Sequence, residues 1–314
     1  SGGNDILSIT NNSFDDSFAQ KYTIDLGAGA DELHFVGGVN TSYPTIQIWA
    51  EQVFGSTQDD TLPVVLWGPR VGSINMGDGN DSVIATRPGP DDATTSFSET
   101  ETISYNGYAN TTLTLTGTLD SATITTTTPS VSLVLQGSNN NFTAFNWANI
   151  TSGDSADTIT IGDDPNSSGF TTVLNTGGGN DNITILNDEV STYNAGAGND
   201  TIKISNIAYY GQPSAQEIDG GAGADILQYG GAGLSLSLAA GLTTILNMEQ
   251  IDLNAGSGSD SLTLHVGAVR SMTDGTNSLT SRANSLLISG DASDSVTVND
   301  LGDWTANGTS TIGG

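Results

Sequence analysis

The chain has no cysteine, and among its 314 residues only 6 are Lys or Arg and 2 are His. The missing cysteines exclude disulfides and thiolate metal sites, and two histidines make zinc chemistry a poor fit. The shortage of cations matters more, because 35 acidic residues leave a formal net charge of -29. Such a chain repels nucleic acid, anionic headgroups and acidic polysaccharides, having almost nothing to pair with their phosphates or carboxylates. A polysaccharide lyase is disfavoured on the same ground, because Lys21, Arg70, Arg87, Lys203, Arg270 and Arg282 are spread along the chain and suggest no cluster to neutralise a uronate and move its proton. No apolar run is long enough to span a bilayer, and no basic n-region of a signal peptide is visible. The chain opens at Ser1 without an initiator Met, as expected of a mature product or a fragment. The natural partner of so acidic a surface is a cation.

What is abundant is glycine, 40 residues, together with Ile, Leu and Val interleaved with Thr, Ser and Asn. That is strand composition. The frame G-x-G-x-D recurs at Gly27/Gly29/Asp31, Gly77/Gly79/Asp81, Gly177/Gly179/Asp181, Gly196/Gly198/Asp200, Gly221/Gly223/Asp225 and Gly256/Gly258/Asp260. Degenerate copies run from Gly153 to Asp157, Gly290 to Asp294 and Gly55 to Asp59, and Gly3-Asn4-Asp5 looks like a truncated one. After nearly every Asp the second and fourth residues are apolar, as in Ile183/Ile185, Ile202/Ile204 and Leu262/Leu264. Period two means a strand with one buried face.

A matching strand precedes several of the turns, as in Gln250-Ile251-Asp252-Leu253. Each unit is therefore strand, Gly-rich turn with an acid, strand. The spacing between successive motifs suits the rung of a solenoid, in which short parallel strands close one coil and coils stack about 4.8 Å apart. The expected fold is all-β, a parallel β-solenoid with its Gly-rich turns stacked along one edge. Three regions are expected: N-terminal coils over 1-85, a Thr-rich β segment over 86-150 without the acid turn, and C-terminal coils over 151-314. The middle region is either further coils or a small inserted β element. Between Val266 and Asn284 a short helix or loop would account for the longer repeat there.

Alternate glycines let the backbone take positive φ and turn its carbonyls toward a common point. The following carboxylate lies beside them. Carbonyl and carboxylate oxygens are hard ligands that suit Ca²⁺, which takes six to eight oxygens at about 2.3 to 2.6 Å. One turn offers too few. Two stacked turns offer enough, so an ion is expected between rungs, with Asp181 and Asp200 facing each other across one such interval.

"GGGNDNITI", "GAGNDTIKI", "GDGNDSVI" and "GGAGADIL" resemble the nonapeptide G-G-x-G-x-D-x-U-x of the RTX, or hemolysin-type, calcium-binding proteins. The resemblance implies a calcium-loaded β-roll of the kind found in type I-secreted toxins, enzymes, large adhesins and S-layer proteins. By motif match it implies several calcium ions, with Asp31, Asp81, Asp181, Asp200, Asp225 and Asp260 as ligands together with the carbonyls of their paired glycines. Asp157 and Asp294 are weaker copies that have lost the second Gly, and Asp78, Asp154 and Asp291 are possible extra carboxylates. The family places a nonapeptide on every half-coil, whereas one motif serves a longer coil here. One calcium column is therefore expected rather than two. The C-terminal stretch from Asn247 is similar to a repeat of very large bacterial surface proteins.

The functional expectation is a non-enzymatic, calcium-stabilised structural protein at the bacterial cell surface or outside the cell, part of a surface layer or a large secreted adhesin, with self-association possible. The alternatives are a stability module of an extracellular enzyme, or an ice- or glycan-binding adhesin segment. Thr tracts such as Thr112-Leu113-Thr114-Leu115-Thr116 raise the ice-binding idea. Thr-x-Thr does not recur in a fixed register from coil to coil, so solvent-facing β-propensity is the preferred reading. Trp49, Trp67, Trp147 and Trp304 are read as core covers rather than sugar platforms. His34 and His265 have no nearby nucleophile-elbow serine, so a catalytic triad is not expected.

Overall fold

A computed structural model describes residues 6–12, 22–25, 32–39, 46–49, 52–56, 61–65, 73–77, 82–86, 93–95, 97–98, 102–106, 112–115, 119, 122–126, 131–162, 172–186, 192–205, 216–229, 233, 235–238, 243–256, 258–273, 276–283 and 285–299. Within these the protein is a parallel β-solenoid. Its two longest sheets have 11 and 8 strands, and from residue 112 to residue 229 the chain alternates between them. Thr158–Gly162, Asn182–Ile185, Thr201–Ile204 and Ile226–Tyr229 are neighbours in the first sheet. The intervening Val173–Asn175, Thr192–Asn194 and Gln216–Asp219 are neighbours in the second. Every pairing in both sheets is parallel and without register slips.

The period-two pattern dictates the core. Ile159, Ile183, Ile202, Leu227 and Ile251 are aligned rung upon rung and fully buried. Opposite them stand Leu133, Ile150, Leu174, Tyr193, Ile218 and Ile245, also in register and buried. Fully burying one such aliphatic side chain contributes about 1.5–3 kcal/mol, so the two facing ladders hold each coil shut. A misregister of one residue would turn both ladders outward, which fixes the pairing.

Within 86–150 the strands join the same two sheets, except Phe97–Ser98, which pairs with Ser73–Gly77. Thr102–Asn106, Ala122–Thr126 and Asn141–Phe145 extend the eleven-stranded sheet, and Thr112–Leu115 and Ser132–Leu135 extend the other. Trp147 is 1% exposed and its indole N–H donates to the carbonyl of Ile124 at 3.3 Å. It is a core residue with no face open to a sugar. Earlier strands, including Ile6–Asn12, Glu32–Val39, Gln52–Ser56 and Ser73–Gly77, form a 5-stranded parallel sheet. Near the C-terminal end Ser235–Leu238, Ser261–Leu264 and Ser295–Val298 form a separate 3-stranded sheet. Val266–Met272 is helical, followed by a short antiparallel pair at Thr276–Asn277 and Arg282–Ala283. No helix among the described residues is long and apolar enough to cross a membrane.

The ladder makes a local prediction. Ile202→Ala is expected to cost about 2–5 kcal/mol, whereas Thr201→Ala on the outer face of the same strand stays within about 0.5 kcal/mol. Denaturant unfolding followed by circular dichroism measures both, and equal effects would contradict the assigned faces.

Candidate functional site

The alternation that buries Ile183 and Ile185 also turns Asp181 inward, because it stands two residues before Ile183. The same holds for Asp157, Asp200 and Asp225 relative to their strands. All four are at most 2% exposed. They form one column at the corner where the chain leaves the eight-stranded sheet and enters the eleven-stranded one. Across the neck of each turn, five residues earlier, stands a small buried partner: Ser152, Thr176, Ala195 or Gly220.

The column is linked by hydrogen bonds that run one way. The backbone N–H of Asp157 donates to Oδ1 of Asp181 at 2.8 Å, that of Asp181 to Asp200 at 2.8 Å, and that of Asp200 to Asp225 at 2.8 Å. Asp181 and Asp200 are therefore neighbours on adjacent rungs, joined directly by this bond. Two residues not expected from the motif close the ends. Glu249 receives the Asp225 N–H on Oε2 at 2.7 Å. Asn140 donates from its backbone at 2.6 Å and from Nδ2 at 3.2 Å to Oδ1 of Asp157, and its own Oδ1 accepts the N–H of Leu119 at 3.2 Å. Neither Asn140 nor Glu249 follows a G-x-G frame. Their signal was the offset: each stands two residues before an inward strand residue, Phe142 or Ile251.

Glycine is required in these turns by stacking. Gly196 and Gly198 have φ of +94° and +150°, and a methyl group on either would overlap the carbonyl of Gly177 or Gly179 in the rung before. Gly221 and Gly223 repeat this against Gly196 and Gly198. Between them the backbones bond rung to rung: Ala197 N–H donates to the Gly177 carbonyl at 2.8 Å, and Ala222 N–H to that of Gly196 at 2.7 Å. The Asn before Asp181 and before Asp200 adds an outer clamp in the opposite sense, with Asn180 Oδ1 accepting from Asn199 N–H at 2.8 Å and Asn199 Oδ1 from Ala224 N–H at 2.9 Å.

Each inward carboxylate spends one oxygen on this ladder. The other, Oδ2 of Asp157, Asp181, Asp200 and Asp225, is buried and has no hydrogen-bond partner. A buried carboxylate oxygen with no donor is costly unless it carries a proton or meets a cation. Burial accordingly pushes the carboxyls up, Asp200 to about 6 and Asp225 to about 7, with Asp181 raised as well. The charge of the neighbouring acid adds to the effect, Asp181 on Asp200 and Asp200 on Asp225. The donor types fit a hard, oxygen-seeking cation such as Ca²⁺: carboxylate oxygens without a hydrogen-bond partner in Gly-rich turns, with no thiolate or imidazole. Among the described residues no three acids or histidines converge on one point. Each interval thus brings two carboxylates, and its remaining ligands would be backbone oxygens.

The last two acids stand elsewhere. Asp260 and Asp294 precede strands of the three-stranded sheet, at a second corner, and repeat the same bond, Asp260 N–H to Asp294 Oδ1 at 3.0 Å. Asp294 also accepts the N–H of Asp291 on Oδ2 at 2.7 Å, so both its oxygens are engaged within protein. Asp291 is exposed, and its carboxyl is held low by the hydroxyl and N–H of Ser293 at 2.6 and 2.7 Å. The Ser293 hydroxyl also lies 3.0 Å from the Gly258 carbonyl, a longer alternative acceptor for the same proton. Asp154 is exposed. Gly256 and Gly258 lie in the Asp260 turn, Gly258 with φ of +117°, and Gly77 ends strand Ser73–Gly77. Asp31, Asp78, Asp81, Gly27, Gly29 and Gly79 lie outside the described residues. His265 precedes the helix, and its Nε2 is 3.0 Å from Nδ2 of Asn299.

Two outcomes follow. Gly196→Ala and Gly198→Ala are expected to destabilise by several kcal/mol, combining strain of about 1–3 kcal/mol with backbone overlap. Gly178→Ala, where the nearest atom to an added methyl is 3.6 Å away, is expected to be nearly neutral; thermal melts decide. Second, a raised carboxyl holds its proton more tightly when folded, so its stabilisation is complete below the unfolded value of 3.8 and is lost as pH rises through about 6 for Asp200 and about 7 for Asp225. In chelator the protein is expected to melt lower at about pH 8 than at about pH 5, and Asp225→Asn to flatten that slope. A melting temperature that climbs over this range would contradict the burial of these acids. Protein-family models, curated proteins and solved structures give no match to this chain, and it is the chemistry of this corner that carries a functional reading.

Proposed function

We propose that this chain is a calcium-stabilised structural β-solenoid of the RTX kind, working outside the cell as part of a bacterial surface layer or a large secreted adhesin. The observation that supports the reading is the row of buried carboxylate oxygens left without a donor at Asp157, Asp181, Asp200 and Asp225. Acids stacked rung over rung repel one another, and the chain has almost no cations of its own to compensate.

Calcium held between successive coils would supply that compensating charge and tie rung to rung. The protein's part is to present the ligands. Alternation turns the Asp inward, the glycines let the rungs approach closely, and the Asp N–H groups hold each neighbouring carboxylate through Oδ1, leaving Oδ2 buried without a donor. With calcium scarce, the acids favour an open chain. With calcium abundant, binding contributes to folding free energy, about 2.7 kcal/mol for each site at a hundredfold excess over its Kd. Stability would thus be tied to location.

The test is a thermal melt followed by circular dichroism in calcium, in magnesium and in chelator. Calcium is expected to raise the melting temperature and chelator to abolish the gain. Magnesium should do less, since it demands a tighter octahedral shell. Asp200→Asn, which removes a charge from two intervals at once, is expected to reduce the calcium response more than Asp154→Asn on the surface. An identical melt in all three conditions would refute the reading.

A further inference from the structure

The Thr-rich strands are not absorbed by the acid corner, and the structure places them in a way their spacing in the sequence hides. Thr123, Thr143, Thr160 and Thr184 are direct register partners on four successive strands of the eleven-stranded sheet, and the register continues backward through Thr102 to Ser82. Two residues earlier on the same strands runs a second row, Asn141, Thr158, Asn182 and Thr201. The expectation that Thr keeps no fixed register is therefore corrected. Loop lengths between rungs vary, and this scrambles the interval along the chain while leaving the interval in space constant.

Parallel pairing sets that interval. Neighbouring rungs lie about 4.8 Å apart and alternate residues of one strand about 6.6 Å apart, so the outward side chains form a two-dimensional lattice. From strand Ala122–Thr126 to strand Asn182–Ile185 none of the outward residues carries a charge. In a protein with a formal charge of -29 this is a neutral strip, which ends at Lys203, the partner of Thr184. The outer face of the eight-stranded sheet is likewise uncharged from Thr112 to Asn194, but it keeps no Thr row, its corresponding row running Thr114, Val134, Thr151, Asn175, Asn194 and Asp219.

We infer that this face binds the surface of ice. Thr is stiff at χ1, so its hydroxyl and methyl are held in place before contact and little freedom is lost on binding. Hydroxyls at a lattice spacing close to that of the oxygen layers in ice can each join the layer as donor and acceptor. The methyls between them exclude disordered water, and no charged group is present to hold a competing hydration shell. A neutral glycan fits less well, since sugar platforms rely on exposed aromatic faces. The aromatic residue in this strip, Phe145, stands at its edge opposite Gly162.

The experiment uses the full chain in calcium and reads thermal hysteresis and ice recrystallisation inhibition. Thr160→Tyr, which raises a ring from the middle of the face, is expected to abolish both. Thr151→Tyr, at a more exposed strand position on the other sheet, is expected to leave them unchanged. Circular dichroism establishes that both variants keep the solenoid, and Thr160→Lys stands in should Thr160→Tyr fail to fold. The inference is overturned if the parent shows no hysteresis, if Thr151→Tyr loses it equally, or if the parent instead sediments with a neutral crystalline polysaccharide and leaves ice untouched.

Discussion

The structure depends on the close stacking of one rung on the next at the acid corner. The glycines at positions 177, 179, 196, 198, 221 and 223 bring backbones so near that a methyl group would overlap the carbonyl of the rung before. This proximity is what allows an Asp N–H to reach the carboxylate of its neighbour at 2.8 Å. It also concentrates negative charge along a line. The interaction that aligns the coils and the repulsion that would separate them thus come from the same side chains, acting through different oxygens.

That division between Oδ1 and Oδ2 connects stability to conditions. Oδ1 belongs to the fold and is satisfied by protein. Oδ2 is buried without a donor, so the corner is stable only when something neutralises it. A proton does so in acid, consistent with carboxyls pushed up to about 6 and about 7 at Asp200 and Asp225, and in the function proposed above a divalent cation would do so at neutral pH. The ends of the column are built differently. Asn140 is uncharged and donates its own amide to Asp157, so the negative row begins beside a neutral group. Glu249 extends the row by one carboxylate at the other end, on a longer side chain.

The outer faces divide the labour. Acids stack at the corner, whereas the outer faces of both long sheets are uncharged over their middle rungs, and on the longer one Thr recurs in register. A regular lattice of that kind costs nothing extra in a solenoid, because parallel in-register pairing repeats any one outward position at the rung spacing. Interior and surface are then independent variables, with inward positions setting stability and outward positions free to be fitted to a partner.

Much of this was legible in the sequence. The motif Gly-x-Gly-x-Asp followed by Ile-x-Ile states the turn, the direction of the strand and the inward face together, and the alternation alone requires Asp181 and Ile183 to share a side. Loop length hid the rest. Asn140 and Glu249 carry no glycine frame, so only the stacked rungs reveal them as members of the column. Asp260 and Asp294 read as further copies of the same motif, yet they occupy a second corner, because the chain enters the three-stranded sheet before returning. The Thr rows likewise exist only once pairing has aligned strands separated by unequal loops. Local periodicity by itself determined strand, turn and inward face, since these depend on neighbours in the chain. Which acids and which threonines stand above one another was decided by tertiary structure alone, since register between rungs is fixed by the fit of the core and not by the length of the connections.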